Sequence, residues 1–508
     1  MIASPQALAL AGGGWGETRV SSNVLIVGAG PVGLTLAVEL ARYGVAVRIV
    51  DKAPARTDKS KAVAVWSRSL ELLDRIGIAA TIVAAGLPVR AADISTGSER
   101  IARVTLDGLD SAFDFVLMIP QSETERILEE TLNGFGVTVE RSTTLKEFTA
   151  ADAGVEAVVV RADGTEETIA ADWLVGCDGA HSLVRHTLGF AFAGDTVDDT
   201  FLLADIRLSG DLPKDELVTF WHPRGLVVLM PLPGGRCRLI ASDDRNAAAT
   251  EADPQLADIQ AVLDERGPGG LVASDPVWLT RFRVNERKVD NYRAGRVFLA
   301  GDAAHVHSPA GGQGMTTGMQ DAFNLAWKLA LVARGEADRR LLDSYSVERS
   351  AVAAAVIADA GRLTRIAMLD GALKQHMRNF VVGHLLGLSV VQHGFRERLS
   401  ELGVAYDHSP LSGTAIDPGR LPRPGHRMPP GDGPPIGAGP APRFAALAAG
   451  VDANLAALGK RHRRLVEDRL RPPAAPGSIV LVRPDGYVAL IAEAGDWTSV
   501  DAYLASLV

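Results

Sequence analysis

The chain has 508 residues, of which 47% are hydrophobic and 22% charged, and its formal net charge is −9 at pH 7. This length predicts more than one domain, and the composition is that of a globular protein. The acidic balance argues against a nucleic-acid partner, because phosphate binding requires a concentrated basic surface. With two cysteines, Cys177 and Cys237, the chain cannot build a disulfide framework, which favours a reducing, cytoplasmic location.

Two further segments bear on location. Residues 1–21 are expected to form a disordered tail, since their apolar stretch contains too many glycines for a signal peptide and no basic residue precedes it. No uninterrupted apolar run reaches the length of a membrane-spanning helix, so no membrane partner is predicted. The basic run at 460–464 is interpreted as the exposed face of a helix.

A glycine-rich loop, with Gly28, Gly30 and Gly33 in the GxGxxG spacing, follows an apolar strand and opens a helix predicted over 34–43. Glycines in this context let backbone N–H groups and the helix N-terminus approach a pyrophosphate. The next predicted strand ends in Asp51, about 20 residues beyond the glycines, where a carboxylate meets a ribose hydroxyl. The spacing predicts a dinucleotide-binding βαβ unit.

The middle of the chain alternates between predicted helices and strands. A helix is expected over 122–134, with Ser122 and Glu125 forming a capping box at its start. Two strands follow, and the second runs into the segment Gly176-Cys177-Asp178-Gly179. Because this places an acid at the end of a strand, a nucleotide can approach it from outside the sheet.

Residues 200–284 are mostly β-like and are interpreted as an inserted sheet. A further strand then delivers Gly301 and Asp302, ahead of a second glycine-rich loop that reaches Gly314. Asp302 can accept a hydrogen bond from a sugar-like hydroxyl. The N–H groups beyond the loop stand near the start of a helix predicted over 318–333, where they can face a developing anion. Together the two loops predict one nucleotide site closed from both ends.

The last section changes character. A stretch rich in proline and glycine, 418–442, predicts a domain boundary or a surface loop. Beyond it, 443–470 is predicted to be mostly helical, and strands at 478–482 and 487–491 form a predicted hairpin followed by a short helix. These elements predict a small α+β module.

The three glycine-containing motifs, in this order and at these separations, resemble those of the FAD-dependent aromatic hydroxylases of the p-hydroxybenzoate hydroxylase fold, the class A flavoprotein monooxygenases. The resemblance covers roughly residues 23–349. Segments 424–429 and 482–486 are similar to the C-terminal thioredoxin-like domain found in hydroxylases of phenol, aromatic polyketides and rifampicin. The resemblance implies an α/β fold with a Rossmann-like FAD-binding domain, an inserted β-sheet substrate domain and a C-terminal thioredoxin-like α+β domain.

This organisation predicts domain boundaries along the chain. They are a tail at 1–21, FAD-binding parts at 22–89, 121–190 and 285–365, substrate-domain parts at 90–120 and 191–284, a helical connection at 366–415 and the thioredoxin-like domain at 416–508.

The resemblance also implies the cofactor contacts, with non-covalent FAD and with NADPH or NADH as co-substrate. Lys52, beside Asp51, is a hint of a partner for the 2′-phosphate of NADPH. The implied contacts are Gly28, Gly30 and Gly33 at the pyrophosphate, Asp51 at the adenosine ribose, Lys61 at the adenylate or pyrophosphate, Gln121 near the ribityl chain, Asp178 near FAD and NAD(P)H, Gly301 and Asp302 at the ribityl hydroxyls, and Pro309, Gly314 and Met315 at the isoalloxazine, where catalysis takes place.

The chain departs from the family pattern at several positions. Lys61 stands where arginine is usual and lacks the bidentate fork of a guanidinium. Thr316 stands where asparagine is frequent. The C-terminal module contains no cysteine, so it cannot perform thiol–disulfide chemistry.

The inserted sheet is expected to supply the wall of the substrate site. The candidate wall residues are Trp221, His222, Met230 and Phe282. A metal reading of His305 and His307 beside Asp302 is disfavoured because the glycine motifs already give this segment a role, and no metal is predicted.

The resemblance therefore implies a monooxygenase that hydroxylates a phenolic or polycyclic aromatic compound with NAD(P)H and O2, through a flavin C4a-hydroperoxide. Baeyer–Villiger oxygenation and a flavin-dependent quinone reductase are alternatives on the same fold. A non-enzymatic protein that sequesters an aromatic ligand is a third possibility, and a homodimer is the default oligomeric state.

Overall fold

The computed structural model describes residues 22–243, 253–369, 371–416, 419, 421–450, 453–462 and 465–508. The predicted tail at 1–21 and the last two residues of the basic run lie outside these ranges. The described residues form two large and two small sheets with helices packed against them, which confirms the α/β class. Among the described helices, none is both long and apolar enough to cross a membrane.

The first large sheet has seven strands and carries the first glycine loop. Strands β2, β1, β10 and β17 run parallel in that spatial order, and antiparallel strands extend from β10 and β17. Its strands are β1 (Ser22–Val27), β2 (Val47–Val50), β8 (Thr144–Ala151), β9 (Gly154–Val160), β10 (Glu166–Gly176), β16 (Arg293–Ala294) and β17 (Val297–Leu299). Val24, Leu25 and Ile26 of β1 are fully buried, as expected for a parallel strand covered on both faces.

In the described parts of the chain, ten α-helices precede the C-terminal unit. In chain order they are α1 (Pro31–Arg42), α2 (Ser67–Arg75), α3 (Ala79–Ala85), α4 (Gln121–Gly134), α5 (Leu183–Thr187), α6 (Leu256–Arg266), α7 (Gly314–Ala333), α8 (Asp343–Ala367), α9 (Ala372–Leu385) and α10 (Ser389–Leu399). Helix α1 packs against both α4 and α7. Helix α7 begins four residues before the predicted start, so its first turn lies in the second glycine loop.

The capping box predicted for α4 is wrong. The N-cap residue is Pro120, which has no side-chain cap, and the helix starts at Gln121. The hydroxyls of Ser122 and Ser60 share a hydrogen bond (3.1 Å), and Glu125 accepts one from the Gln121 side chain (2.9 Å). A residue from outside the helix thus engages the Ser122 hydroxyl, and the first residue of the helix engages Glu125, so neither side chain forms the predicted cap.

The second large sheet has eight strands in the order β18-β15-β11-β14-β13-β12-β5-β6. They are β5 (Ala91–Thr96), β6 (Glu99–Thr105), β11 (Ala193–Ser209), β12 (Leu217–His222), β13 (Gly225–Leu232), β14 (Arg236–Asp243), β15 (Val272–Lys288) and β18 (His305–Val306). Segments 90–120 and 191–284 therefore contribute strands to one sheet, while the domain boundaries themselves stay a prediction. Helix α6 covers one face of this sheet. A small sheet lies nearby and consists of β3 (Ala64–Val65), β7 (Val116–Met118) and β4 (Leu87–Val89).

The C-terminal unit is α+β, as predicted. It contains β19 (Ala445–Ala448), α11 (Ala453–His462), β20 (Ser478–Val482), β21 (Val488–Glu493) and α12 (Trp497–Ala505), and its strands pair antiparallel in the order β19-β20-β21. The hairpin and the final helix are confirmed. The mostly helical prediction for 443–470 is wrong at its start, because strand β19 pairs with β20, a partner far away in sequence.

Candidate functional site

The first glycine loop combines tight packing with an open side. Gly28 has φ +103°, and a Cβ atom there would clash with the carbonyl oxygen of Cys177, while one at Gly33 would clash with the carbonyl oxygen of Gly28. At Gly30, by contrast, no atom lies within 4 Å of the Cβ position. Two of the glycines thus seat the loop against β10, and the third leaves space at the N-terminus of α1, as a pyrophosphate requires.

Asp51 stands at the rim of this loop, directly after β2. One carboxylate oxygen accepts the N–H of Ala29 (2.6 Å) and the other accepts the N–H of Ala53 (2.7 Å). Each oxygen keeps a further lone pair, which can receive a hydroxyl proton. Lys52, the candidate for a 2′-phosphate, is exposed beside it.

Asp178 follows β10 and has an unsatisfied oxygen. Its Oδ2 accepts the N–H of Val184 (3.2 Å), but its Oδ1 is buried and has no hydrogen-bond partner among the described residues. The buried Arg185 donates instead to the carbonyls of Ala180 (2.8 Å) and Ala303 (3.0 Å). Because a buried oxygen without a donor is costly, the described protein groups leave the Asp178 carboxylate incompletely satisfied.

The second glycine motif lies against the first. Gly301 has φ +61°, and a Cβ atom there would be 2.7 Å from Cγ2 of Val32, the residue between Gly30 and Gly33. A Cβ atom on Gly318 of α7 would likewise lie 3.1 Å from the Cα of Gly301. The fold therefore brings together two loops that are about 270 residues apart in sequence, as expected for a βαβ nucleotide site completed by a distant segment.

Asp302 faces the cleft between these loops. Asp302 is exposed to solvent in the cleft, but the protein around its carboxyl partly desolvates it and raises its pKa, and the charges of His305 and Lys61 oppose this rise. No hydrogen bond joins the Asp302 carboxylate to another residue that the structure describes. The backbone carbonyl of Lys61 accepts a hydrogen bond from Arg238 (3.0 Å).

Gln121 is held by the protein itself at the start of α4. Its side-chain oxygen accepts the N–H of Ala62 (3.1 Å), and its nitrogen donates to Glu125 (2.9 Å). These bonds fix the amide beside Lys61, on the same side of the cleft.

The second loop ends at the N-terminus of α7. Pro309 is exposed, Gly311 and Gly312 have φ +88° and +65°, and Trp66 donates to the carbonyl of Gly311 (2.9 Å). The first N–H groups of α7, those of Gly314 and Met315, have no acceptor within the helix. Together with the helix dipole, they form a positive edge that suits an oxygen or a developing negative charge.

The sequence analysis missed Asp321, which organises this region. Its carboxylate accepts from Gly301 N (3.0 Å), His305 Nε2 (2.8 Å) and Arg349 Nε (2.6 Å), and all four residues are buried. Arg349 and His305 hold the pKa of Asp321 below its ordinary value despite burial. The signal was an acid on a strongly apolar helix, which is rarely buried without a partner.

The histidine pair is engaged in other ways than metal binding. His305 is bonded to Asp321, and His307 Nδ1 lies 2.8 Å from the Ser308 carbonyl, so this nitrogen carries the proton. Burial, and then the charge of His305, lowers the pKa of His307 to about 4, which keeps it neutral. In the described parts of the chain, no three His, Cys, Asp or Glu side chains group as metal ligands.

The candidate wall residues divide between the two faces of the second sheet. Phe220 of β12 packs in the cluster beneath α6. Because side chains alternate along a strand, His222 shares that face, and Trp221 points to the other. Met230 and Phe282 also lie on the face away from α6, by the same alternation from Leu229 and Leu279. His222 is therefore separated from the other three.

Two of these wall residues have defined partners. Phe282 stacks on Phe201 of the neighbouring strand, with ring centroids 5.7 Å apart. The Arg378 guanidinium of α9 lies 4.3 Å from the centroid of the Trp221 ring. The face of the sheet away from α6, here called the inner face, thus presents aromatic side chains, and α9 covers part of it.

Comparison with known proteins agrees with this geometry. The model of a family described as "FAD binding domain" matches residues 21–360. A 6-methylpretetramide 4-monooxygenase of Streptomyces rimosus is 37% identical, with 96% of this chain and 93% of that protein covered. The chain belongs to the FAD-dependent monooxygenases.

Solved structures extend the likeness of this FAD-dependent monooxygenase over nearly its whole length. The anhydrotetracycline hydroxylase OxyS from Streptomyces rimosus has a TM-score of 0.78 and 29% identity, with 96% of this chain and 99% of that chain covered. The Diels-Alderase PyrE3 of pyrroindomycin biosynthesis has a TM-score of 0.77 and 29% identity, with the same coverage of both chains. The fold therefore serves more than one reaction.

The residues present in this monooxygenase fit FAD. The cleft offers such a cofactor the space in front of Gly30, the carboxylates of Asp178 and Asp302 and the first N–H groups of α7. A flavin dinucleotide can donate hydrogen bonds from its hydroxyls to these carboxylates. The polar edge of its ring can accept hydrogen bonds from the N–H groups of α7.

Proposed function

We propose that this monooxygenase hydroxylates a phenolic, polycyclic aromatic substrate, using NAD(P)H and O2. When FAD is bound and reduced, it supplies the chemistry that activates oxygen for transfer to the ring. The observation that carries the proposal is the aromatic inner face of the eight-stranded sheet, in a chain whose relative of similar length is named for a monooxygenase acting on 6-methylpretetramide.

The chain's own residues bind and orient the reactants. In this proposal Gly28, Gly30 and Gly33 seat the pyrophosphate, Asp51 the adenosine ribose, Gln121 and Asp302 the ribityl chain, and Pro309, Gly314 and Met315 the isoalloxazine. Lys52, Lys61, Asp178 and Gly301 complete the cofactor site, and Trp221, Met230 and Phe282 orient the substrate rings. The sheet and the second loop exclude water between them.

Location and partners remain predictions from the sequence. The proposal places the enzyme in the cytoplasm, where reduced nicotinamide is available, without a nucleic-acid or membrane partner. A homodimer is the default state.

The test is oxidation of NADPH and of NADH by the FAD-loaded protein in ¹⁸O2, with and without phenols, naphthoquinones and polycyclic aromatics. We expect a polycyclic phenol to stimulate oxidation and to gain one labelled oxygen on a ring carbon, located by NMR. FAD-free protein and anaerobic reactions are the controls. Labelled oxygen inserted beside a ketone would indicate Baeyer–Villiger chemistry instead.

Other outcomes would contradict the proposal. Steady oxidation with label recovered only in hydrogen peroxide or water indicates a reductase or an uncoupled reaction. Tight ligand binding with no ligand-dependent oxidation indicates a redox-silent role for FAD or a sequestering protein.

A further inference from the structure

Glu401, which follows α10, is held in an unusual backbone conformation. Its φ is +61° and its exposure is 2%. A side chain larger than asparagine rarely adopts this left-handed conformation, which is strained and persists only where the surroundings impose it. Such strain in a buried acidic residue is a reason to ask what the residue does.

The Glu401 carboxylate contacts the first two turns of α7. It accepts hydrogen bonds from the Thr317 hydroxyl (2.9 Å) and from the Gln320 amide (2.7 Å), and the Gln320 amide also reaches Ser69 of α2 (3.3 Å). The Gln313 amide, just before α7, donates to the carbonyl of Arg398 (2.8 Å). The segment 398–401 therefore braces the end of α7 that is proposed to face the flavin.

No cation among the described residues forms an ion pair with Glu401. Its donors are the neutral Thr317 and Gln320 side chains of α7, and the charge that acts on it is that of Arg349 on α8. Arg349 is already bonded to Asp321 (2.6 Å). Burial consequently outweighs these interactions and raises the pKa of Glu401 to about 7, so its charge changes near neutral pH.

We propose that Glu401 is a positioning residue that sets how readily the flavin is reduced, because it places a negative charge beneath the first turns of α7. This inference rests on the proposed placement of Gly314 and Met315 at the pyrimidine edge of the flavin. Reduction adds negative charge at that edge, and the helix N-terminus stabilises it. An ionised carboxylate under the same turns opposes that charge, and protonation of Glu401 removes the opposition.

The sign of the pH dependence follows. Below pH 7 Glu401 is mostly neutral and resembles glutamine, so wild type and Glu401→Gln share one midpoint potential. Above pH 7 Glu401 is ionised, and the wild-type potential is the lower of the two. The difference between the two proteins therefore grows as the pH rises through neutrality.

The experiment is a spectroelectrochemical titration of bound FAD between pH 6 and pH 9, without substrate. We expect Glu401→Gln to shift the potential upwards above pH 7 and to match wild type at pH 6. Glu401→Gly removes both the carboxylate and the strained conformation, and we expect the same pH-dependent shift. Glu397→Gln, the same change of charge on a half-exposed side chain of α10, is the matched control and should behave as wild type.

Three outcomes would overturn the inference. They are equal potentials for wild type and Glu401→Gln at every pH, a shift that does not depend on pH, and a shift in Glu401→Gly alone, which would assign the effect to the backbone. Circular dichroism and the FAD dissociation constant verify that each variant is folded and loaded. Because no substrate is present, the result is independent of whether the enzyme hydroxylates an aromatic ring.

Discussion

The proposed cofactor cleft and the junction with the C-terminal unit differ in how some of their carboxylates are paired. In the cleft, Asp178 Oδ1 is buried and has no hydrogen-bond partner among the described residues, and the exposed Asp302 carboxylate has none among them either. At the junction, Glu348 accepts from Lys328 (2.7 Å) and from Arg483 (2.7 Å), and all three side chains are fully buried. Asp178 and Asp302 of the proposed cofactor cleft thus keep carboxylate oxygens without a partner, whereas the Glu348 carboxylate at the junction is held by two cations.

The junction consists of several such contacts. Arg483 also bonds Asp485 within the C-terminal unit, and Trp327 of α7 donates to the same carboxylate (3.1 Å). Glu71 of α2 accepts from both Arg68 (2.9 Å) and Arg427 (2.8 Å). The motifs at 424–429 and 482–486, first noted for a family resemblance, thus supply the cations and acids that join the two units.

The largest expected effect is loss of stability at the junction. Glu348→Gln leaves Lys328 and Arg483 as buried cations without their shared anion, and we expect a loss of about 3–5 kcal/mol in the free energy of unfolding. Urea denaturation of the FAD-free protein measures it. Glu130→Gln, which removes an exposed pair with Arg126, should change stability by less than about 0.5 kcal/mol.

The pH dependence at this site has a defined sign. The cations lower the pKa of Glu348 in the folded protein, so its stabilising contribution is complete above the pKa of an unfolded glutamate and is lost as the pH falls below it. Wild type and Glu348→Gln should therefore converge in acid. A variant as stable as wild type at pH 7 would contradict the contrast between junction and cleft.

In the cleft, replacing a carboxylate by its amide should leave stability unchanged and weaken the binding of FAD. Asp302→Asn removes a carboxylate with no protein partner, so we expect unchanged stability of the FAD-free protein. Because hydrogen bonds to a charged group contribute about 1.5–3 kcal/mol, FAD should bind about tenfold to hundredfold more weakly. Fluorescence titration with FAD measures the affinity, and the exposed Asp290→Asn is the control. Unchanged FAD affinity would remove Asp302 from the site.

The smallest expected effect is a change in KM, and it distinguishes the two faces of the eight-stranded sheet. Phe282→Ala removes a stacked ring from the face away from α6 and should raise KM for the aromatic substrate several-fold, consistent with about 1 kcal/mol for an aromatic pair. His222→Ala, on the opposite face, should leave KM unchanged. A larger effect from His222 than from Phe282 would mean that the substrate does not lie on the proposed face.

Local patterns predicted much of the fold, including the elements that carry the proposed cofactor site. The GxGxxG loop, the strand ending in Asp51 and the final hairpin appear where the sequence placed them, because spacing and backbone preference act over a few residues. The capping box at Ser122 failed because Ser60, a distant residue, engages that hydroxyl. Adjacent strand residues such as Trp221 and His222 point to opposite faces of the sheet. The local sequence does not determine which of the two faces lies away from α6.

The sequence by itself determined a nucleotide-binding strand, turn and helix, a second glycine loop, and their resemblance to one family. Only the tertiary structure decided how Gly301 packs on Val32, which acid bonds Arg349, and how Glu401 is buried beneath α7. The physical reason is the separation in sequence over which each interaction acts. Glycine spacing limits the backbone locally, whereas burial and the pairing of charges depend on residues that meet only after the chain has folded.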